Sequence, residues 1–448
     1  MDAVISSGLS LQGTLTVPSD KAICHRAVLA AAIAEGETVI HPWPDAEDCQ
    51  RTLSLVQELG ATVTRSGDTL RVLGRGKNGL CAPTRALQCG ESGTTLRLAA
   101  GLLAGQPFTT TLCAGTALSR RPMRRIVEPL TQMGVVLEGA TPSQEITELY
   151  PPLVIHGQRP LRAICYHMPV ASAQVKSAIL FAGLAADGVT TVVEQDETRD
   201  HTERMLQAFG VSIQQQGREV SVAPGDLHTP GELVIPGDFS SAAFFLVAAA
   251  CVPGSQLVLH EVSLNPTRSR LIAILQRMGA HITSHVTADA WEPRGTITVR
   301  AAVLRAITLT GEEVPGVIDE LPILMVAAAC ARGRSVFQGL GELRVKETDR
   351  IQSMMDGLQR LGVRLRLTAP EMLEIDGGSI QRGIVESAAD HRTAMSLAVA
   401  GLVAEGEVTV CGAECVAKSL PSFFSLLQHL TSPSTVKTVD NDEGLLLR

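Results

Sequence analysis

The chain of 448 residues is too long for a single hydrophobic core, so its length predicts two domains. A hydrophobic content of 45% with 19% charged residues is typical of a globular protein and excludes a disordered chain. The formal net charge of −8, with no basic block, argues against a nucleic-acid partner.

Six apolar helices rich in alanine and leucine are predicted along the chain, and each leads through a glycine turn into a β-rich run. The turns recur about every seventy residues. That spacing exceeds the roughly 20–50 residues of a solenoid repeat and suits a small α/β subdomain used six times. The six turn glycines are Gly36, Gly105, Gly188, Gly254, Gly333 and Gly406.

Each repeat also carries a second helix, in which apolar residues recur with helical spacing on one face. In five repeats a glycine follows the last apolar position, as is common where a helix stops. These glycines are Gly60, Gly134, Gly210, Gly279 and Gly362. Each repeat therefore has the order βαβαββ, with its first helix buried on all sides and its second helix covering the outside.

The repeats group into two domains of an α/β protein, with three βαβαββ units in each. Pro224-Gly225 and Pro230-Gly231 predict a crossover between the domains near residues 225–235. A second crossover near residues 12–20 follows if the first strand belongs to the C-terminal domain. We therefore predict an N-terminal domain of residues 15–228 and a C-terminal domain formed by residues 1–14 plus 229–448.

Neither a secretory segment nor a membrane span is predicted, because no apolar run reaches about 18–20 residues. The ten cysteines show no paired framework, and several lie in the alanine-rich helices, where cysteine acts as a small apolar residue. Cys411 and Cys415 could form half of a metal site, but no second pair with ligand spacing accompanies them. We expect a soluble, cytoplasmic, monomeric protein with reduced thiols.

The buried helices begin with short polar segments, such as Ser19-Asp20-Lys21 before the first and Glu91-Ser92-Gly93 before the second. The first turn of a helix exposes unpaired N–H groups and about half a positive charge, so it attracts anions. Further cations lie at loop-to-helix junctions, namely Arg121, Arg199, Arg344, Lys346, Arg350 and Lys418. In an acidic protein this set favours a ligand that carries phosphate or carboxylate groups.

Most of these residues also have a structural interpretation when each is taken alone. Arg26 and Arg97 lie inside apolar helices, where a buried guanidinium needs either a ligand or a structural partner, and the sequence leaves both open. Aspartates before a helix usually act as N-caps, which applies to Asp20, Asp238, Asp319 and Asp390. Lys346, Glu347 and Arg350 could instead form ion pairs on the exposed face of a helix. His25 and His391 could be structural histidines held by hydrogen bonds.

Seven motifs, in order along the chain, resemble those of the EPSP synthase family of enolpyruvyl transferases. The first three are PSDKAICHRA from Pro18, GESGTTLR from Gly90 and the tripeptide RPM from Arg121. The other four are SAQVKS from Ser172, RDHTERM from Arg199, RVKETDR from Arg344 and DHRTAM from Asp390. The resemblance covers nearly the whole chain.

The resemblance implies two inside-out α/β domains, with shikimate-3-phosphate and phosphoenolpyruvate (PEP) bound between them. It implies transfer of the enolpyruvyl group of PEP to the 5-hydroxyl of shikimate-3-phosphate, with release of phosphate, in the shikimate pathway to aromatic amino acids. The hydroxyl adds to C2 of PEP while C3 is protonated, and the tetrahedral intermediate then loses phosphate and a C3 proton. This chemistry needs cations for the substrates' anionic groups and side chains that move protons. No metal or organic cofactor is implied.

Carried over residue by residue, the resemblance assigns roles within the motifs of this chain. Asp319 is expected to be the base for the 5-hydroxyl, and Glu347 with Lys21 to handle the proton at C3. The expected PEP ligands are Lys21, Gly93, Arg121, Gln174, Arg350, Arg392 and Lys418. The expected shikimate-3-phosphate ligands are Lys21, Ala22, Arg26, Ser172, Ala173, Gln174, Arg199, Asp319 and Lys346.

Two residues depart from the family pattern and keep other interpretations open. Ala22 stands where serine is common, and Glu91 where asparagine is common. A related enolpyruvyl transferase with a different acceptor alcohol is therefore an alternative. A transferase acting on UDP-N-acetylglucosamine would carry a reactive cysteine in the loop before Arg121, and residues 117–122 contain none. A non-catalytic anion-binding module is the remaining alternative, although it would have no need of proton-transfer groups.

Overall fold

The computed structural model describes residues 1–141 and 148–439. The chain divides into two compact units. One unit, which we name the inserted unit, is Ser19–Ile235, and the other, the host unit, combines Met1–Pro18 with Pro236–Arg448. The division thus falls after Pro18 and after Ile235, where the sequence predicted domain boundaries after residues 14 and 228.

The described residues form helices and strands in regular alternation. The helices are α1 (Lys21–Ala32), α2 (Glu47–Glu58), α3 (Gly93–Ala104), α4 (Arg124–Gln132), α5 (Ala173–Gly183), α6 (His201–Ala208), α7 (Phe239–Cys251), α8 (Arg270–Arg277), α9 (Leu321–Cys330), α10 (Arg350–Arg360), α11 (His391–Val403) and α12 (Phe423–Leu430). The strands are β1 (Asp2–Ile5), β2 (Gln12–Thr16), β3 (Ala34–Glu35), β4 (Glu37–His41), β5 (Thr62–Ser66), β6 (Thr69–Leu73), β7 (Leu87–Gln88), β8 (Thr109–Cys113), β9 (Val136–Ala140), β10 (Tyr150–His156), β11 (Cys165–His167), β12 (Thr190–Val193), β13 (Ile213–Gln216), β14 (Glu219–Val222), β15 (Leu227–His228), β16 (Glu232–Val234), β17 (Gln256–Ser263), β18 (His281–Ala288), β19 (Arg294–Arg300), β20 (Thr308–Leu309), β21 (Arg334–Phe337), β22 (Arg364–Ala369), β23 (Met372–Asp376), β24 (Gln381–Glu386), β25 (Glu405–Cys411) and β26 (Val436–Val439).

Each of the six repeats contributes to a four-stranded sheet with the same pattern of strands. In the second repeat the order is β7-β8-β10-β9, in which β7 and β8 are parallel and the other neighbours are antiparallel. Parallel neighbours need a crossover connection, which the core helix of the repeat supplies. The other sheets are β16-β4-β6-β5, β11-β12-β14-β13, β2-β17-β19-β18, β20-β21-β23-β22 and β24-β25-β1-β26. The predicted α/β fold with a six-fold βαβαββ repeat is confirmed.

Three of these sheets take a strand from a distant part of the chain. In the inserted unit, β16 pairs in parallel with β4 of the first repeat. In the host unit, β2 pairs in parallel with β17, and β1 lies between β25 and β26, with Ala3 opposite both Val410 and Thr438. The chain leaves the host unit after Pro18 and returns to it at Pro236. A hydrogen bond joins these two places, because the Asp238 N–H donates to the Pro18 carbonyl at 2.8 Å. The first strands of the chain therefore belong to the unit that holds its last repeats.

The first helix of each repeat is buried over most of its length and packs against the other first helices of its unit. In α7 every residue from Phe239 to Ala250 is buried, and α7, α9 and α11 contact one another. In the inserted unit, α3 contacts α1 and α5. A Cβ placed on Gly101 of α3 would lie only 2.1 Å from the Ala178 carbonyl oxygen of α5. Small residues thus let the helix backbones approach closely, which agrees with an aromatic content of 3%.

The second helix of each repeat buries one face, as the sequence predicted. Helix α2, for example, buries Cys49, Leu53 and Val56 but exposes Arg51 and Ser54. The chain then reverses at a glycine with positive φ, such as Gly60 at 95°, which suits glycine because it has no Cβ. Across the described ranges, none of the helices is both long and apolar enough to cross a lipid bilayer.

Candidate active site

In the inserted unit, the predicted site residues cluster at the first turns of the three core helices. Each of these helices begins at a residue whose side chain caps the free N–H groups. Asp20 accepts a hydrogen bond from the Ile23 N–H, Ser92 from the Thr95 N–H and Ser172 from the Val175 N–H, at 3.0, 3.2 and 3.4 Å. Asp20 is therefore an N-cap, as the structural interpretation of the sequence had it.

Lys21 opens α1 and forms an ion pair with Asp48 at 2.9 Å, with both side chains mostly buried. The Asp48 carbonyl accepts a long hydrogen bond of 3.4 Å from Thr95 of α3. Asp48 therefore links the charged group of α1 to the start of α3. Asp48 could not be singled out from the sequence, because it lies in the first turn of an ordinary amphipathic helix.

Gly93 lies where two guanidinium groups converge. A Cβ placed on Gly93 would lie 2.9 Å from Arg121 Nη1 and 3.0 Å from Arg97 Nη1. The absence of a side chain here lets both guanidinium groups approach the first turn of α3 closely. This is the arrangement expected for an anion that binds backbone N–H groups and guanidinium together.

Gln174 connects α5 to the same region. Its Oε1 accepts a hydrogen bond from Arg97 at 2.7 Å, and its Nε2 donates to Thr94 at 2.9 Å. These two contacts fix which way the amide points. Arg97, for which the sequence left ligand and structural partner open, thus has a structural partner in Gln174.

Arg26 is buried and donates hydrogen bonds from all three of its nitrogens. The acceptors are the Thr202 hydroxyl, the Ser177 hydroxyl and the Ala22 carbonyl, at 2.7, 2.8 and 2.7 Å. The guanidinium thereby joins α1 to α5 and α6. Of the other predicted acceptor ligands, Ala22, Ala173 and Arg199 are all partly exposed.

In the host unit, Asp238 and Asp390 cap α7 and α11. Asp238 accepts from the Ser240 N–H at 2.8 Å, and Asp390 from the N–H groups of Arg392 and Thr393 at 2.8 and 3.2 Å. Helix α9 is different, because no side-chain hydrogen bond caps its start. Asp319, which precedes it, instead directs its carboxylate toward Arg350 and Arg392, at 3.5 and 3.8 Å. The N-cap interpretation is therefore right for two of these aspartates and wrong for Asp319.

Arg350 is the buried centre of this charged group. Its guanidinium lies 2.7 Å from Asp390, 3.5 Å from Asp319 and 3.6 Å from Glu347. Burial alone would lower the pKa of Arg350, but the three surrounding carboxylates raise it above its ordinary value. Arg350 therefore stays charged, and it holds two carboxylates that remain partly accessible.

Glu347 is one of those accessible carboxylates, with 24% of its side chain exposed. Its second oxygen lies 2.9 Å from His391 Nδ1, and the other ring nitrogen of His391 is buried without a hydrogen-bond partner. Glu347, Asp390 and His391 are close enough together to hold a metal ion. Arg350, however, lies against both carboxylates and already supplies a positive charge there, which disfavours a bound cation.

Arg392 lies on the other side of Asp319, and a buried polar network holds it. It donates to the Asp319 carbonyl at 2.7 Å and to the Ser240 hydroxyl at 3.0 Å. Ser240 also donates to Glu320 at 2.5 Å, and Glu320 forms an ion pair with Arg268 at 2.9 Å. Sequence reasoning missed Ser240, Glu320 and Arg268, and only the cost of burying charged residues in apolar surroundings could have pointed to the last two.

Lys418 approaches the same region from the last repeat. Its Nζ donates to the Ala389 carbonyl at 2.9 Å. Ala388 and Ala389 both have positive φ, of 54° and 56°, which is unfavourable for residues with a Cβ and is often found at functional sites. Lys346 is partly exposed on the segment between Arg344 and Arg350.

Comparison with known proteins gives a consistent result. The family described as EPSP synthase (3-phosphoshikimate 1-carboxyvinyltransferase) matches residues 5–427. Two relatives named 3-phosphoshikimate 1-carboxyvinyltransferase come from Bacillus thuringiensis and Bacillus cereus. The first is 44% identical over 428 residues, covering 95% of this chain and 98% of the relative. The second is 45% identical over 422 residues, covering 94% and 97%.

Solved structures show the same likeness in three dimensions. The EPSP synthase from Acinetobacter baumannii superposes with a TM-score of 0.86 at 39% identity, covering 98% of this chain and all of that one. The enolpyruvyl transferase NikO from Streptomyces tendae superposes with a TM-score of 0.75 at 19% identity, covering 97% and 98%. At that identity the second likeness shows a shared fold alone.

Proposed function

The chain belongs to the EPSP synthase family, and from that membership we infer that it transfers the enolpyruvyl group of PEP to the 5-hydroxyl of shikimate-3-phosphate. Phosphate is released, and the reaction belongs to the shikimate pathway to aromatic amino acids. The observation that carries the assignment of residues is the environment of Arg350. Two partly exposed carboxylates, Asp319 and Glu347, face this one buried cation.

We propose that Asp319 accepts the proton of the 5-hydroxyl. Its carboxylate caps no helix, and 17% of the side chain is exposed, so it can meet a substrate. Arg350 and Arg392 lie 3.5 and 3.8 Å from the Asp319 carboxylate and hold it in place. We propose that Glu347, together with Lys21, delivers a proton to C3 of PEP and removes one when phosphate leaves.

We propose that PEP is bound by Lys21, Gly93, Arg121, Gln174, Arg350, Arg392 and Lys418. The five cations among them match the phosphate and carboxylate of PEP, and they also stabilise the charge of the tetrahedral intermediate. We propose that Lys21, Ala22, Arg26, Ser172, Ala173, Gln174, Arg199, Asp319 and Lys346 form the site for shikimate-3-phosphate.

Two isosteric substitutions test the proton-transfer roles. Asp319→Asn and Glu347→Gln should each lower turnover by roughly 10²–10⁴-fold, the usual contribution of a positioned acid or base. Binding of shikimate-3-phosphate should stay measurable by calorimetry. Glu374→Gln is the matched control, because Glu374 pairs with Arg334 and Arg366 on a sheet of the same unit. If Asp319→Asn or Glu347→Gln keeps more than half of normal turnover, the role assigned to that residue is wrong.

The acceptor can be checked separately. Phosphate release from PEP should be fastest with shikimate-3-phosphate in a panel of hydroxylated acceptors. A faster reaction with another alcohol would favour the alternative that Ala22 and Glu91 leave open, an enolpyruvyl transferase with a changed acceptor.

We further propose that the enzyme is cytoplasmic and acts as a monomer. Light scattering coupled to gel filtration should give the mass of one chain at all concentrations. A mass that rises to that of two chains under assay conditions would show the monomer proposal to be wrong.

A further inference from the structure

Arg121 lies on a short connecting segment between β8 and α4. The segment contains a single 3-10 turn, Leu118–Arg120, and Arg121 follows it with extended backbone. The position of the Arg121 guanidinium therefore depends on how firmly the backbone of this segment is held. The guanidinium nevertheless lies beside Gly93, close enough that a Cβ there would come within 2.9 Å of Nη1.

The carboxylate of Glu91 holds the beginning of this segment. Its Oε2 accepts a hydrogen bond from the Leu118 N–H at 2.7 Å, and its Oε1 accepts one from the Ala117 N–H at 3.2 Å. Room for this contact comes from Gly115, where a Cβ would lie 2.3 Å from Glu91 Oε1. A backbone hydrogen bond of 2.7 Å from the Gly115 N–H to the Gly90 carbonyl reinforces it.

A second carboxylate holds the end of the segment. Glu148 Oε1 accepts hydrogen bonds from the N–H groups of Met123 and Arg124, at 3.1 and 2.7 Å. Met123 also donates to the Leu149 carbonyl at 2.9 Å. Arg121 is therefore flanked on both sides by backbone that is bonded to a carboxylate.

We propose that Glu91 is a positioning residue that sets the affinity for PEP by fixing Arg121 relative to Gly93. Glu91 stands two residues before Gly93 on the same loop. One short stretch of chain therefore carries both the first residue of α3 and the carboxylate that binds the segment of Arg121. Both carboxylate oxygens are turned to backbone N–H groups, which leaves the negative charge paired and not directed at the anionic substrate. The inference rests on the proposed function in one respect, the assignment of Arg121 as a PEP ligand.

Glu91→Gln tests this inference, because it keeps the shape of the side chain and removes its charge. Each oxygen of Glu91 accepts from a different N–H group, so in the amide the NH2 group faces one of these two donors and that hydrogen bond is lost. We expect KM for PEP to rise about tenfold, since hydrogen bonds to charged groups are the stronger kind. KM for shikimate-3-phosphate and kcat should change less than about threefold, because neither the acceptor ligands nor the proton-transfer groups are touched.

Asp187→Asn is the matched control. Asp187 Oδ1 accepts a hydrogen bond from the Ala163 N–H at 2.8 Å in the same unit, beyond the C-terminal end of α5, whereas Gln174 lies in the first turn of that helix. It should leave KM for PEP unchanged. Glu148→Ala is the second arm, because it removes the oxygen that accepts from the N–H groups of Met123 and Arg124, and it should raise KM for PEP in the same selective way as Glu91→Gln. This arm also decides the matter if Glu91→Gln does not fold.

The pair Glu91→Gln and Arg121→Gln separates positioning from general destabilisation. If Glu91 acts through Arg121, its substitution should raise KM for PEP in the native background and have no further effect in the Arg121→Gln background. An equal effect in both backgrounds, or an equal rise in KM for both substrates, would overturn the inference. An unchanged KM for PEP in Glu91→Gln would overturn it while Arg121→Gln still supports the proposed function. An unchanged KM in Arg121→Gln itself would remove the PEP role of Arg121 and the inference with it.

Discussion

Asp319 and Asp390 both precede a core helix of the host unit, but only Asp390 is fully buried. One oxygen of Asp390 accepts from the helix N–H groups and the other accepts from Arg350, so both oxygens already have partners. Glu320, and not Asp319, takes the N-cap position of α9, and Asp319 keeps part of its side chain accessible. A proton acceptor needs that access, because substrate must come within hydrogen-bonding distance.

His25 shows how burial dominates the protonation of a residue beside the site. Its ring is buried in α1, and Nδ1 lies 2.6 Å from the Thr52 hydroxyl. Burial lowers the pKa of His25 to about 3, with Asp48 opposing the shift and Lys21 and Arg26 adding to it. The folded protein therefore keeps this imidazole neutral, and its contact with Thr52 agrees with the predicted hydrogen-bonded structural histidine.

This lowered pKa predicts a loss of stability in mild acid. Below the ordinary pKa of 6.5 the unfolded chain binds a proton at His25 that the folded chain does not. The free energy of unfolding should therefore fall as pH drops from 6.5 toward 3, and His25 should contribute about 2 kcal/mol of loss by pH 5. Urea unfolding at pH 7 and pH 5 measures it, with His25→Asn as the variant that lacks the titration.

The exposed His281 provides the control for this experiment. His281→Asn should follow the parent protein at both pH values, whereas His25→Asn should lose less stability between them. If the free energy of unfolding falls equally for His25→Asn and the parent between pH 7 and pH 5, the titration of His25 does not cause the loss of stability.

At the scale of the elements, the contact between α3 and α5 places Gly93 and Gln174 relative to each other. The helices approach most closely at Gly101, whose missing Cβ would meet the backbone of Ala178 at 2.1 Å. A carbonyl oxygen cannot move aside as a side chain can, so the helices themselves must separate to admit a methyl group.

Gly101→Ala should therefore destabilise the inserted unit by about 1–3 kcal/mol, although alanine is the better helix former. It should also raise KM for PEP, because Gln174 and the start of α3 move apart. Gly225→Ala is the control in the same unit, since a Cβ there would meet nothing within 4 Å. Urea unfolding and initial rates give the two readouts. Equal stability of Gly101→Ala and Gly225→Ala would show that the contact between α3 and α5 accommodates a methyl group without cost.

The helices and their order could be predicted because their signals are local. Apolar periodicity separates the buried helices from the amphipathic ones, and glycines mark where helices stop. Local signals do not distinguish Asp319 from Asp390, since each is an aspartate before an apolar helix. That difference depends on Arg350, Arg392 and Ser240, which other repeats supply.

At the scale of the whole molecule, every sheet within residues 1–141 and 148–439 is formed by strands of a single unit. We therefore propose that each unit folds as a domain. A fragment of Ser19–Ile235 should unfold cooperatively on its own, as should a host unit in which a short glycine linker joins Pro18 to Pro236. Circular dichroism during urea unfolding measures this. A fragment of residues 19–228 is the comparison, because it lacks β16 and should be less stable. Equal stability of the two fragments would favour the predicted boundary after residue 228.

Strand partners were the least predictable part of the fold. The patterns of β1, β2 and β16 indicate strands. The sequence of a strand does not, however, identify a pairing partner hundreds of residues away. A crossover near residues 12–20 was predicted only for the case that the first strand belongs to the C-terminal domain. The pairing of β1 with β25 and β26 shows that it lies in a sheet with the last strands of the chain.

That pairing has a consequence for synthesis on the ribosome. Ala3 and Ile5 of β1 are fully buried in the finished protein, yet β25, one of the two strands that flank β1, is made some four hundred residues later. At roughly 5–20 residues per second, the nascent chain carries this apolar strand without its partners for about 20–80 s. Ser19–Ile235 is complete well before then and can fold first. The N-terminal strand must therefore stay unpaired and protected from aggregation until the last repeat leaves the ribosome.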